Sequence, residues 1–278
     1  MSHAVRLIIL AENTAEGRGL RGEHGLSFWV ERDEKRLLFD TGQGLVLRDN
    51  GTALRLDFAQ LDAIVLSHGH YDHSGGLDQV LAATTHALSV FAHPAALLPK
   101  YRQAGDDVRE VGMPVFCREA LSGANVTVIL SREPADVAPG IRTTGEIPRR
   151  HPQERSEERF CLDAAGQIED PIQDDMALIV ETAEGVVLLL GCAHAGLINT
   201  LDHVRDVTAN APIRAVVGGM HLRNASPERM AWTLRELARF DIGQIIPLHC
   251  TGIPATAALW QAFPGRCRGA GAGTTLIY

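Results

Sequence analysis

The segment Ser67-His68-Gly69-His70-Tyr71-Asp72-His73-Ser74-Gly75-Gly76-Leu77 constrains this chain more than any other part of it. It follows the compact apolar run 61–66 and precedes a helix-like stretch. Three histidines and one aspartate fall within the six residues from His68 to His73. In extended backbone, side chains two apart point to the same side, so His68 and His70 can grip one ion. A turn at Asp72-His73 carries the next two side chains toward a second position. Neutral imidazoles and a carboxylate suit Zn²⁺, Fe or Mn. Gly69 lets the backbone curl, and Gly75-Gly76 permits close approach of the following helix. Surface histidines can gather in a loop by accident, but four donors packed this tightly at a strand end weigh against accident.

Three further segments repeat the arrangement. Gly191-Cys192-Ala193-His194-Ala195-Gly196 follows the apolar run 186–190, and Gly218-Gly219-Met220-His221-Leu222 follows 215–217. Pro247-Leu248-His249-Cys250-Thr251-Gly252 follows 244–246. Each histidine thus sits at the carboxyl end of a predicted strand, the edge of an α/β sheet where ligands usually bind. Four strand ends tipped with histidine are best explained by convergence on one site. His24, His86 and His93 lie near predicted strands and read as hydrogen-bonded structural residues. His3 and His203 read as exposed positions in a tail and a helix.

The chain of 278 residues is 45% hydrophobic and 22% charged, ordinary globular usage that excludes a disordered tail, a collagen-like repeat and a coiled coil. A net charge of −8 repels nucleic acid and anionic membranes, so neither is expected as a partner. There is no apolar run of about 20 residues to span a bilayer and no secretory pattern, so the expected location is cytoplasmic. Five cysteines, an odd number without a CxxC pair, read as reduced thiols. Strands are predicted at 5–10, 24–32, 35–40, 61–66, 89–92, 126–130, 176–181, 186–190, 213–217, 244–248 and 274–278. The charged Asp33-Glu34 turn makes 24–40 a hairpin. Helices are predicted at 76–84, 197–209, 227–240 and 255–263, the third started by Ser226-Pro227-Glu228. The alternation implies an α/β sandwich, read as a single domain over 1–278. Residues 95–175, rich in Pro, Gly and charge, read as an insertion or lid, or else as solvated surface. That stretch carries Arg142, Arg149, Arg150, Arg155 and Arg159, and arginine forks match phosphate oxygens. Arg149 and Arg150 are the expected substrate-binding pair.

The HxHxDH pattern after a strand resembles the metallo-β-lactamase superfamily. Leu37-Leu38-Phe39-Asp40-Thr41-Gly42 resembles that superfamily's early strand ending in Asp-x-Gly. Taken together, the four histidine segments resemble a subgroup named for ribofuranosyl-aminobenzene 5′-phosphate synthase of methanopterin biosynthesis. The resemblance implies an αβ/βα four-layer sandwich with two divalent ions at one edge of two facing sheets, Zn²⁺ first and Mn or Fe as alternatives. It assigns His68 and His70 to the first ion, Asp72 and His73 to the second, and His249 to completing the second. The middle of the pattern departs from the common form, which has a Gly-His and then a Gly-Asp whose carboxylate bridges the metals. Thr144-Gly145-Glu146 stands roughly in the first place and Gly191-Cys192-Ala193-His194 roughly in the second. His194 is therefore the expected remaining ligand, with Cys192, His221 and Glu146 as further candidates. Asp40 would hold a ligand imidazole in the right tautomer, and Asp72 and His221 would take part in catalysis.

Two such ions make hydroxide available at neutral pH, so the expected activity is hydrolysis of a small, phosphorylated or cyclic ester. A synthase condensing an aromatic acid with a phosphoribosyl donor is one alternative. A ligand-binding or regulatory module with an incomplete metal site is another. No Ser or Cys sits in a recognisable elbow or triad, so the chemistry is expected to depend on the ions.

Overall fold

Strand β1 (Val5–Ala11) buries Leu7 and Ile9 in one apolar cluster and Ile8 and Leu10 in another. Side chains alternate across a strand, so a sheet built on such strands must be covered on both faces. The computed structural model describes residues 4–156 and 158–278; His3 lies outside the described residues. In chain order the next strands are β2 (Ser27–Arg32), β3 (Lys35–Phe39), β4 (Ala63–Val65), β5 (Leu88–Ala92), β6 (Tyr101–Ala104), β7 (Asp107–Glu110) and β8 (Val126–Leu130). They continue with β9 (Asp136–Ala138), β10 (Ile141–Thr143), β11 (Arg159–Cys161), β12 (Ala177–Thr182), β13 (Gly185–Leu190), β14 (Ile213–Gly219), β15 (Ile242–Leu248) and β16 (Thr275–Ile277). The helices are α1 (Leu47–Ala53), α2 (Tyr71–Ser74), α3 (Leu77–Ala83), α4 (Val115–Ala120), α5 (Leu197–Val207), α6 (Pro227–Leu237) and α7 (Ile253–Ala262).

One sheet runs β16-β1-β2-β3-β4-β5-β8 and the other β15-β14-β13-β12-β10-β9. Their inner faces share one core, where Leu7, Phe28, Val30 and Phe39 pack with Leu178, Val187, Leu189, Val217 and Ile246. The outer face of the first sheet is covered by Leu47 of α1, Leu77 and Val80 of α3 and Cys117 of α4. The outer face of the second is covered by Leu197 and Leu201 of α5, Leu237 of α6 and Leu259 of α7. The order helix, sheet, sheet, helix is the expected four-layer αβ/βα sandwich. Pairing is parallel from β3 through β4 and β5 to β8, and again from β13 through β14 to β15. His68, Cys192, His194, His221 and His249 all follow the carboxyl ends of these parallel strands.

Several boundaries shift for local reasons. The expected strand at 24–32 starts only at Ser27, because Leu26 N donates to Asp72 O and bends the chain toward the histidine segment. Helices α1, α2 and α4 and strands β6, β7, β9, β10 and β11 lie outside the sequence expectation. Residues 95–175, expected as one insertion or lid, are divided by the sheets. Strand β8 pairs with β5 and β10 with β12, while β11-β6-β7 forms a separate small sheet. Among the described residues, no helix is long and apolar enough to cross a membrane.

The small sheet is tethered to the histidine segment through Lys100. Its Nζ, fully buried, donates to Asp170 Oδ2 at 2.9 Å and Asp174 Oδ1 at 2.7 Å. Asp174 Oδ2 in turn accepts from Gly69 N at 2.7 Å. Tyr71 N donates to Val111 O, and Val111 N to Lys100 O. Burial opposes the charge on Lys100, but Asp174 and Asp170 outweigh it and raise its pKa. Removing one partner of such a group leaves buried charges unpaired, at about 3–5 kcal/mol. Lys100→Ala is expected to lower the unfolding free energy by about that amount in urea denaturation at neutral pH.

Candidate metal centre

Asp40 ends β3 with a left-handed backbone, φ +59°, and is fully buried. Its Oδ1 accepts from Ser67 N at 2.7 Å. Its Oδ2 accepts from Ser67 Oγ at 2.6 Å and faces His73 Nδ1 at 2.7 Å. This carboxylate therefore holds the His73 proton on Nδ1 and turns Nε2 inward. The Ser67 hydroxyl has a single proton, which goes to Asp40, so it accepts from His68 Nδ1 at 2.9 Å. That assigns the His68 lone pair to Nε2. His249 is fixed from the opposite sheet edge: its N donates to Glu12 Oε1 at 2.8 Å, and its Nδ1 lies 2.9 Å from Asn13 Oδ1. Its Nε2 also points inward. Gly191 permits the two sheet edges to meet, since a Cβ there would collide with Ser67 Oγ.

The inward atoms crowd one another. His68 Nε2 lies 3.0 Å from His70 Nδ1, and His73 Nε2 lies 3.3 Å from His249 Nε2 and 3.2 Å from Cys192 Sγ. Asp72 Oδ2 is 3.3 Å from His249 Nε2 and 3.2 Å from His24 Nε2. The His194 ring centroid is 4.9 Å from those of both His68 and His70. Lone pairs facing at such distances repel unless a proton or cation lies between them. His70 Nε2 and both ring nitrogens of His194 are buried without a hydrogen-bond partner among the described residues. Unpaired buried polar atoms cost roughly 1–3 kcal/mol each, and coordination relieves that cost. The donor groups are His68 with Cys192 and His194, His73 with Cys192 and His249, His24 with Asp72 and His249, and Cys192 with His221 and Cys250. Within each group the donor atoms lie within 4.8 Å of one another. Imidazole, thiol and carboxylate in this arrangement fit a divalent metal.

Electrostatics prepares the same atoms. Burial lowers the pKa of His68 and His194, and that of His70 to about 4, so these rings are neutral at physiological pH, the form that binds metal. Burial opposes charge on His73, but Asp40 and Asp72 lift it to about 9, so without metal its Nε2 keeps a proton, which must leave when a cation binds there. Burial also opposes the Asp72 charge, yet His73, His24 and His249 hold its carboxyl well below the usual range. Asp40, Ala193, His221 and His249 all carry positive φ without being glycine, which is the kind of strain that collects at functional sites.

A cavity of about 460 Å³ opens above the cluster. Arg102, Asp107, Arg109, Glu110 and Val111 line it together with Glu158, Phe160, His221, Arg223 and Asn224. His221 Nε2 lies 3.2 Å from Glu158 Oε2, and Glu158 Oε1 accepts from Arg102 at 2.8 Å and Asn224 at 3.2 Å. The bond from His221, with Arg102 beside it, lowers Glu158 to about 2. Burial opposes the His221 charge, but Cys250 and Glu158 raise the ring to about 9.

Asp72, His73, His194, His221, His249 and Cys192 thus come together with His68 and His70. Glu146 does not: it bonds His93 and Arg132, away from the cluster. Arg149 and Arg150, the expected substrate-binding pair, do not line the cavity. The Arg149 guanidinium donates to the carbonyls of His194, Pro171 and Ile172, and Arg150 pairs with Asp206 at 2.6 Å. Free carbonyls of the irregular loops hold Arg149 behind His194, and an acid on α5 holds Arg150. The cavity arginines, together with Glu158, Glu12, Asn13 and His24, carry no spacing signal. They come from short strands and loops that only tertiary packing brings together.

The sequence model of the metallo-beta-lactamase superfamily matches residues 20–249. An uncharacterized protein of Methanocaldococcus jannaschii is 36% identical over 257 residues, 91% of this chain and 93% of that protein. The 7,8-dihydropterin-6-methyl-4-(beta-D-ribofuranosyl)-aminobenzene-5'-phosphate synthase of the same organism is 27% identical over 269 residues, 93% of this chain and 92% of that protein. A solved structure described as a metal-dependent hydrolase of the beta-lactamase superfamily superposes with a TM-score of 0.82 at 28% identity, covering 98% of both chains.

The Asp40 contact generates a direct expectation. Replacing a carboxylate that orients a ligand imidazole typically costs 10–100-fold in metal affinity. Asp40→Asn is expected to weaken zinc binding by roughly that factor, read by competition with a chromophoric chelator, while circular dichroism stays that of the parent.

Proposed function

The chain belongs to the metallo-beta-lactamase superfamily, and from that premise we propose that it is a metal-dependent hydrolase of a small, phosphorylated or cyclic ester. The observation that carries the reading is a pair of adjoining donor sets beneath one cavity lined by arginines and carboxylates. In this reading His68, His70 and His194 hold one ion, and Asp72, His73 and His249 hold the other. Zinc is the first choice because imidazole and thiol donors favour it over Mn or Mg. When bound, such ions supply a hydroxide nucleophile at neutral pH and polarise the bond under attack.

The chain's own residues supply the rest. Asp72 stays ionised and faces the cavity beside His24, where it can accept a proton from an entering water. His221, held by Glu158 at the wall, can hold a proton at Nε2 or Nδ1 near a departing oxygen. Arg102, Arg109 and Arg223 line the opening and offer guanidinium groups to an anionic substrate, which would take them from Glu158, Asp107 and the His249 carbonyl. Phe160 and Val111 add an apolar surface that excludes water from one side. The cavity volume lies within the range of small-molecule sites. The chain acts as one domain in which the β6-β7-β11 sheet forms part of the substrate wall. The similar structure described as a metal-dependent hydrolase supports this reading. A second reading, a condensing synthase, is favoured by the 27% identical relative of that name.

A chelator is expected to abolish turnover across a panel of phosphodiesters, phosphomonoesters and lactones, and zinc to restore it. Asp72→Ala should lower kcat/KM on the best substrate by about 10³-fold, roughly 4 kcal/mol. Pyrophosphate release from a phosphoribosyl donor and an aromatic acid, with no hydrolysis anywhere on the panel, would replace the hydrolase reading by the synthase one. Arg109 is exposed and pairs with the exposed Asp107 at 2.6 Å, so Arg109→Ala tests substrate charge without disturbing the core. It should raise KM several-fold for a phosphorylated ester and leave KM for a neutral lactone unchanged.

A further inference from the structure

We propose that the Cys192 sulfur is shared between the two cation positions and is the anion that lets two divalent ions sit side by side. The inference rests on the dinuclear reading above and adds the group that joins its halves. Cys192 belongs to three of the four donor groups, once with His68 and His194, once with His73 and His249, and once with His221 and Cys250. The first two groups have no member in common except this sulfur. Its Sγ lies 3.2 Å from His73 Nε2, and the residue is 4% exposed.

The backbone explains the placement. Cys192 comes two residues after β13 ends, next to Gly191, whose missing Cβ lets Ser67 and Asp40 of the other sheet approach. The thiol is thereby set between the loop carrying His68 to His73 and the sheet edge carrying His249. Charge favours the role. Two divalent ions a few ångströms apart repel strongly in a poorly solvated site; apart from this sulfur the two groups that it joins contain imidazoles, and the Asp72 carboxylate reaches only the His249 side. Asp72 stands to one side with His24 and His249, and Asp175, whose Oδ2 accepts from Ala195 N at 2.8 Å, belongs to none of the donor groups. A shared thiolate places negative charge between the ions. On binding, the S–H bond breaks, sulfur keeps the electron pair for the metals, and the proton leaves to solvent. Cys250 is the competing sulfur, but it donates toward Cys192 O at 3.4 Å and accepts from His221 N at 3.4 Å.

Cobalt(II) titration of the metal-free full chain tests this, since thiolate bound to cobalt gives a near-ultraviolet charge-transfer band that imidazole and carboxylate do not. The parent protein should bind two cobalt ions per chain with that band. Cys192→Ser should lose the band and retain one ion at most, whereas Cys250→Ser should keep both band and stoichiometry. Cys192→Asp restores the charge without the sulfur and should hold two ions with no band; it also covers the case in which the serine variant does not fold. The proposal is overturned if the band survives in Cys192→Ser or disappears in Cys250→Ser, or if Cys192→Ser still holds two ions as tightly as the parent. Two ions without any band in the parent would remove the sulfur assignment and leave the dinuclear reading standing. No bound cobalt at all would remove both.

Discussion

One buried carboxylate, Asp40, sets the alignment on which the rest of the centre depends. It receives the Ser67 backbone and hydroxyl on one side and His73 Nδ1 on the other. Through the single proton of Ser67 it also fixes the tautomer of His68. His68 and His73 both turn Nε2 into the cluster because one aspartate fixes the Nδ1 side of each ring, through Ser67 for His68 and directly for His73. The cost of that burial is met by three short hydrogen bonds, and its strained backbone is held by Asp40 N donating to Val65 O and Ser27 Oγ donating to Asp40 O.

The sandwich makes this local device into a shared site. Both sheets send parallel strands toward the same edge, and each contributes donors at its carboxyl ends. Glu12 and Asn13, just after β1, reach across to hold His249 from behind, as Asp40 holds His73. The two halves of the cluster thus have separate supports, both carried by the first sheet, and meet where Gly191 leaves room. Over them the Lys100 ion cluster seats the small β11-β6-β7 sheet, so the wall of the cavity is anchored to the loop that carries the histidines.

Much of this was legible in the sequence because it is periodic or local. The strands β1, β8, β13 and β15 follow from apolar runs, and the pairing of His68 with His70 follows from side-chain alternation in extended backbone. His194, His221 and His249 were readable as strand tips, although their convergence depends on the layer order. The cavity wall was not readable. Arg102 and Arg109 sit on strands of four residues with no apolar pattern, and Glu158 lies in an irregular stretch. Arg149 and Arg150 lie off the cavity, which charge alone does not reveal: Arg149 bonds carbonyls and Arg150 pairs with Asp206. His24 was read as structural, yet the bend before β2 brings it to Asp72.

Anomalous diffraction at the zinc edge, from crystals of the zinc-loaded protein, tests the central claim most directly. The account predicts two peaks within a few ångströms of each other. One should lie at about 2 Å from nitrogens of His68, His70 and His194, and the other at about 2 Å from donors of Asp72, His73 and His249. Zinc found only at surface histidines such as His151, with the inward nitrogens of His68 and His73 uncoordinated, would contradict it.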